Sequence, residues 1–487
     1  MSRAKPTRIL VLGAGPAGLA AAIRLKERRG AKVDVRLLTQ GHLLGGKAAT
    51  HRDAEGYTWE HGFHVFFGFY RTLWGLLRRA GADLDAAFTR NRGWTHFATD
   101  KGFDSFRLSV NPLLTVARFG QAPGITASDR LSMLRFGLNW ATQRATDPRI
   151  EDIDDLCFEA WAADMGLSSS VVSGARMRFT AEAYFNDPHP ISAYAVMRSV
   201  QLLSTDRRAG DYYYQRVGLS EGVWKPLAAY FEKLGGVLLP YSRVTGLAMS
   251  GGRITGVKVA APDPTDHAEG ENTWPDPIPV VDGSERWLED FDGVICTLPR
   301  ANLLELDAPQ ELWDRPELAG LSHLRDVVTL SAQAFYEQPL PNRRFGAING
   351  LGPPLPLAVD YQQLGGRWAT NPAVRSTMSW VGQLEGFEDL DDDALFAEAV
   401  AAADRAGFTG ISGAVPLRKK VERNSASYER FTLTEPGALR YRPEVDIGVH
   451  NLRLAGDWVR NRIDVPCMEG AAVCGFAAAD DLLRALS

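Results

Sequence analysis

The run Arg8-Ile-Leu-Val-Leu-Gly-Ala-Gly-Pro-Ala-Gly-Leu-Ala-Ala-Ala22 constrains this chain more than any other. Ile9 to Leu12 is a short apolar stretch of the kind buried in a parallel sheet. It enters Gly13-Ala-Gly-Pro-Ala-Gly18, and small residues follow to about Arg29, which predicts strand, tight turn and helix. Each glycine has its own task. Gly13 permits the turn, Gly15 lets a pyrophosphate come close to the backbone, and Gly18 lets helix and strand pack tightly. Pro16 suits the first helical turn, and Ala17 beside it keeps that turn small. Free N–H groups and the helix dipole then face an anion. The fragment therefore predicts a dinucleotide site at the start of the chain.

A second strand is expected over Val33–Leu38, with Gly30 closing the helix before it. Such a strand usually ends in an acidic residue that binds ribose hydroxyls. Here Thr39 and Gln40 occupy that end, which weakens a simple nicotinamide reading. Gly45-Gly46-Lys47 offers a second close approach of backbone to ligand. Tyr57 to Tyr70 is dense in aromatics and contains His61 and His64. No further ligand pattern accompanies the two histidines, so no metal is expected.

Gly13–Gly18, Gly45-Gly46-Lys47 and Gly62-Phe63-His64-Val-Phe-Phe-Gly68 together resemble the FAD-dependent phytoene and zeta-carotene desaturases of the cyanobacterial and plant type. Those belong to the wider amine-oxidase-like flavoproteins. Leu454-Ala-Gly456-Asp457-Trp458 and Met468-Glu-Gly-Ala471 resemble the same group. The likeness is clear over about the first 80 and last 35 residues and general between them. It implies FAD as cofactor and contacts from Gly62, Phe63, His64 and Gly456. It also places Val244 at the adenine and Asp457 near the ribityl or pyrophosphate. Thr39 stands where the family carries a glutamate. Met468 and Ala471 open a small-residue helix whose N-terminal N–H groups suit a flavin pyrimidine oxygen.

The chain has 487 residues, too many for one core. The expected class is α/β: a discontinuous Rossmann-type FAD-binding domain from 1–85, 235–300 and 445–487, with an inserted α+β substrate-binding domain from 86–234 and 301–444. Two strands joined by Ser-Gly-Gly are expected over 243–259, and an exposed loop over 262–289. The helix carrying Leu131, Met133, Leu134, Phe136, Leu138 and Trp140 reads first as a core helix. Its alternative is a helix that dips into lipid or lines an entrance for an oily substrate. Asp152–Asp155 reads as a solvated turn. A proline-stopped helix is expected over Arg178–Phe185. Tyr212-Tyr213-Tyr214 on a strand would divide its rings between two faces. Tyr184 and Tyr213 are the pocket candidates.

The formal net charge of −5 and the lack of long basic tracts argue against nucleic acid. No apolar stretch reaches the ~18 residues of a membrane span. Four scattered cysteines without C-x-x-C suit a reducing compartment, so a cytoplasmic protein is expected, with peripheral membrane contact left open.

The resemblance implies desaturation of a long apolar isoprenoid, a hydride passing to flavin N5 and a proton leaving the neighbouring carbon. Reoxidation would fall to a quinone or oxygen. His64 is the one catalytic candidate, with orienting the flavin as its rival role. The alternatives are a flavin oxidase on an amine, a redox-neutral isomerase or cyclase on a polyene, and a non-catalytic protein on a decayed flavin fold.

Overall fold

The computed structural model describes residues 5–99, 102–107, 125–146, 150–172, 182–263 and 279–487. Arg178 to Ala181 of the helix expected there, and most of the loop expected over 262–289, lie outside these residues.

A five-stranded parallel sheet orders its strands Val237–Leu239, Val33–Leu38, Thr7–Leu12, Gly293–Cys296 and Leu452–Leu454. Every neighbouring pair is parallel, with Leu12 in register with both Leu38 and Cys296. The helix Pro16–Arg29 follows the first strand. The C-terminal helix Met468–Ala485 lies against it so closely that a Cβ on Gly475 would sit 2.2 Å from the Ala17 carbonyl oxygen. Small residues on both helices are what permit this approach. The expected hairpin forms as Arg243–Ser250 and Arg253–Ala260, turning on Gly251 and Gly252, both at positive φ (58° and 73°).

A larger, seven-stranded sheet is ordered Arg418–Asn424, Thr329–Tyr336, Ser376–Gln383, Leu357–Asp360, Ile348–Asn349, Trp94–Thr99 and Gly102–Arg107. The helix Asp392–Arg405 covers one face through Leu395, Phe396, Ala399 and Ala402. Asp391 starts that helix by accepting a hydrogen bond from the Ala394 N–H at 2.8 Å. The other face meets the strand Thr58–Glu60, where Gln333 Nε2 donates to the Thr58 carbonyl at 2.7 Å and Glu60 N donates to Gln333 Oε1 at 3.2 Å.

Two expectations are corrected here. Asp154 is not solvated. Its carboxylate is buried, accepting from Ser192 Oγ at 2.6 Å and from Leu439 N at 2.9 Å. A carboxylate that receives two donors can leave water, which an acidic run does not reveal. The helix Ala127–Thr146 is not a core helix throughout. Met133 is buried, but Leu131, Leu134 and Leu138 are 68%, 41% and 60% exposed. Their spacing of three and four residues puts them on one outward face.

Candidate functional site

The turn after the first strand divides its glycines as their spacing predicts. Gly13 holds φ +105°, and a Cβ there would meet Thr297 Oγ1 at 2.8 Å. That hydroxyl donates to the Leu12 and Gly13 carbonyls. A Cβ on Gly18 would lie 1.8 Å from the Gly13 carbonyl oxygen, so this residue packs beneath the turn and not on the cleft. Around Gly15 a Cβ would meet nothing within 4 Å. The backbone there looks onto open space at the start of a helix with no acidic residue in its first turn.

That space is one end of a cavity of about 470 Å³. Its walls take in every predicted cofactor-site residue except Gly18: Gly13, Gly15, Pro16 and Ala17; Thr39 and Gln40; Gly45, Gly46 and Lys47; Gly62, Phe63 and His64; Val244; Gly456 and Asp457; Met468 and Ala471. The Gly45 N–H donates to the Ala14 carbonyl at 2.9 Å, joining the two glycine turns. Gly45 stands at φ +109°, and a Cβ would strike the Trp224 ring at 2.3 Å. Lys47 Nζ approaches Asp457 Oδ2 at 3.7 Å, so the N-terminal and C-terminal loops meet at an ion pair on the cavity wall. The Thr39 hydroxyl contacts the Leu43 carbonyl at 3.4 Å.

At the far end the walls are aromatic. Phe63, Phe67, Phe69, Tyr184, Phe185, Tyr212 and Tyr214 line the space with Leu357 and Val381. Tyr184 is where it was expected, but Tyr213 is not. In the strand Tyr212–Gln215, Tyr212 and Tyr214 share the cavity face, and Tyr213 points the other way, onto Trp74 at 4.8 Å between ring centroids. Strand alternation requires this division, but three identical residues do not show its phase. The wall hydroxyls are tied back into the protein. Tyr184 meets Ser199 Oγ at 2.9 Å, Tyr212 meets Thr95 Oγ1 at 2.6 Å, and Tyr214 accepts from Ala347 N at 3.3 Å.

His64 lines the cavity, and its Nδ1 has no hydrogen-bond partner among the described residues. Burial, above all, holds its pKa down to about 4, so the ring is neutral near pH 7. His61, three residues earlier, also lines the cavity, beside Asn424 and Glu429. Neither Asn424 nor Glu429 could be found in the sequence, because 363 residues separate Asn424 from His61. Glu469 was missed too. Its buried carboxylate accepts from Thr72 N at 2.7 Å and Leu73 N at 3.0 Å, capping the helix Arg71–Ala80 from the first turn of the C-terminal helix.

A glycine turn at the carboxyl end of a parallel sheet, opening a cleft that reaches another sheet, defines a dinucleotide-binding fold. The chain belongs to the flavin containing amine oxidoreductases, whose family model matches residues 16–483. It is 21% identical to the 15-cis-phytoene desaturase of Synechococcus elongatus over 98% of this chain and 96% of that one. It is 26% identical to the carotenoid phi-ring synthase of Streptomyces griseus over 98% and 87%. A putrescine oxidase structure with bound putrescine shares the fold, at a TM-score of 0.66 and 17% identity over 99% of each chain. The protein is an FAD-dependent oxidoreductase.

FAD fits the residues present. The cradle at Gly15 is open where a side chain would fill it, and the His64 Nδ1 is an unused polar group on the same cavity wall. Thr39 and Gln40 line the cavity and bring no carboxylate of their own to it. Thr39→Glu is therefore expected to tighten FAD binding about fivefold, or ~1 kcal/mol, the order of one charged hydrogen bond. Fluorescence titration of the flavin-free protein measures this. Unchanged or weaker affinity would mean that this residue does not face the ribose.

Proposed function

We propose that this chain dehydrogenates a long, apolar isoprenoid, with FAD as the two-electron oxidant and a quinone or oxygen as the electron acceptor. The observation that carries this reading is the aromatic end of the cavity. Its rings face the space while Tyr184, Tyr212 and Tyr214 spend their hydroxyls on the protein. Such a wall offers a ligand apolar surface and little hydrogen bonding, which suits a hydrocarbon chain better than an amine. The relatives aligned along almost the whole chain are carotenoid enzymes by name, which supports the same substrate class.

In this reading Gly13, Gly15, Pro16 and Ala17 hold the pyrophosphate, Thr39, Gln40 and Val244 line the adenosine end, and Gly45–Lys47, Gly62–His64, Gly456, Asp457, Met468 and Ala471 surround the flavin end. Segments 86–234 and 301–444 supply the substrate cap, the first giving Tyr184, Phe185, Tyr212 and Tyr214 and the second Leu357 and Val381, opposite Phe63, Phe67 and Phe69 of the FAD-binding part. When bound, the flavin supplies a hydride acceptor. The chain's own residues position the substrate, exclude water, and receive a proton.

The first test is anaerobic. The yellow protein is mixed with phytoene-like chains and its flavin absorbance followed. Bleaching by the polyene and recovery with a quinone are expected. Peroxide production from a soluble amine would instead indicate an oxidase, and a polyene that changes while the flavin stays oxidised would indicate an isomerase.

The same reading includes contact with a bilayer surface, where such substrates reside. No helix among the described residues is long and apolar enough to cross a membrane. Leu131, Leu134 and Leu138 instead form an exposed stripe, with Arg130 and Arg135 exposed beside it. Their helix joins the packed cluster that touches Tyr184 on the cavity wall. The stripe would sink into the interface while the guanidinium groups meet anionic headgroups. Replacing all three leucines by serine is expected to cut flotation with phosphatidylglycerol-containing vesicles at least fivefold and leave the melting point unchanged. Equal flotation of both proteins would remove this surface from the reading.

A further inference from the structure

We propose that His61 is the proton acceptor of the dehydrogenation, held in its accepting form by Asn424, with the Glu429 carboxylate beside it. The inference rests on the functional reading above and assigns it a base. His61 follows the strand Thr58–Glu60, is only 9% exposed, and lines the cavity. Its Nδ1 lies 3.3 Å from Asn424 Oδ1 and 3.4 Å from Glu429 Oε1.

The orientation of Asn424 is settled by its own partners. The amide nitrogen donates to the His61 carbonyl and to Thr329 Oγ1, both at 2.9 Å, so the amide oxygen faces the ring. An amide oxygen facing Nδ1 calls for a proton on that nitrogen, and the Glu429 carboxylate stands close by. A neutral imidazole protonated at Nδ1 carries its lone pair on Nε2. Burial, chiefly, keeps the ring neutral; Lys420 acts in the same sense, while Glu422 and the Asn424 hydrogen bond oppose it. The base is thus oriented by an amide, with a carboxylate 3.4 Å away.

The proton balance is simple. One carbon of the substrate gives up a hydride to the flavin oxidant. Its neighbour gives a proton to His61 Nε2, and the electron pair of that second C–H bond becomes the new π bond. The imidazolium that results lies beside Glu429, which is 7% exposed and can offset the charge at short range. The proton passes to solvent after product leaves. His64 lacks this support. Its Nδ1 has no hydrogen-bond partner among the described residues to fix a tautomer. His64 keeps the orienting role, and Glu429 is a positioning residue.

Two measurements test the assignment on the FAD-loaded enzyme. Nitrogen-15 NMR of histidine-labelled oxidised enzyme, with His61 assigned by its loss in His61→Gln, is expected to show a protonated Nδ1 and an unprotonated Nε2. The opposite tautomer would overturn the proposal whatever the activity. Anaerobic bleaching by a polyene is expected to slow at least 100-fold in His61→Gln while polyene binding, read by fluorescence quenching, stays within twofold. Glu429→Gln should slow bleaching about tenfold and shift the acidic limb of its pH profile, and Glu429→Asp should restore most of the rate. Bleaching of His61→Gln at the wild-type rate would exclude His61 as the base and leave the dehydrogenase reading intact. A wild-type flavin that no polyene bleaches would sink that reading, and the assignment with it.

Discussion

Gly15→Val is expected to give a protein that folds as well as the wild type and binds FAD at least about 100-fold more weakly, a loss of about 2.7 kcal/mol. Gly15 has φ −75° and ψ −175°, a conformation open to any residue, and a Cβ there meets nothing within 4 Å. Folding therefore has no reason to resist the substitution. The added methyl groups enter the space through which a pyrophosphate reaches the first N–H groups of the helix. Gly18→Ala should behave in the opposite way. Its Cβ would lie 1.8 Å from a backbone carbonyl oxygen, a clash no rotamer relieves. Overpacking of this kind costs about 1–3 kcal/mol and sometimes more, and it should lower the melting point even without flavin. Melting curves of the two flavin-free variants, set beside their FAD affinities, separate the roles. A Gly15→Val protein that retains FAD like the wild type would show that the phosphates lie elsewhere.

The two glycines also show which part of the molecule could be read from residues alone. A turn of six residues encodes its own geometry, because strand, positive-φ glycine and helix start are local events. The first helix runs Pro16–Arg29 and the second strand Val33–Leu38, with the bounds the pattern predicts. The second glycine pair was recognisable for the same reason and the C-terminal Asp457 loop through the family resemblance, and they line one cavity because a parallel sheet gathers the carboxyl ends of its strands.

What was not legible depends on distance or on phase. The alternation of Tyr212, Tyr213 and Tyr214 follows from the strand, but only their neighbours decide which face is which, and Tyr213 is the one turned onto Trp74. Asp154 looked solvated because its donors, Ser192 and Leu439, lie far along the chain. The leucines of Ala127–Thr146 looked like core because hydrophobic spacing shows that a helix has an apolar face, not what covers it. His61 carried no signal toward Asn424 and Glu429, since their meeting needs the large sheet and the Thr58–Glu60 strand to be docked first. Local chemistry was readable, whereas pairings made by the assembled sheets were not.

That docking surface sets the second large effect: the enzyme is expected to lose stability as pH rises from about 5 to 9, and Glu60→Gln to abolish much of the loss. Glu60 is 3% exposed. Its Oε1 accepts from Ser379 Oγ at 3.1 Å and from the Tyr361 hydroxyl, while Oε2 has no partner among the described residues. Burial pushes its pKa up to about 8, and Glu422 adds to the rise against the opposing hydroxyl donors. The carboxyl is therefore neutral in the folded protein at pH 7. In the unfolded chain it ionises near 4.5. A raised carboxyl pKa means that the folded state holds the proton more tightly. Its contribution to stability is complete below about 4.5 and is lost as pH climbs to about 8. Over that window the loss is on the order of 5 kcal/mol, at about 1.36 kcal/mol for each pH unit between the two values. Glutamine keeps an oxygen for Tyr361 and Ser379 but cannot ionise. The urea midpoints of wild type and Glu60→Gln, each saturated with FAD, should diverge steadily with pH, the variant being the more stable at pH 9. Buried Asp360 and Glu469 are also raised, each to about 6, and tilt both curves alike, so the difference between the proteins isolates Glu60. Parallel curves would mean that Glu60 is already ionised near pH 5, and that the interface between the strand and the large sheet tolerates a buried charge.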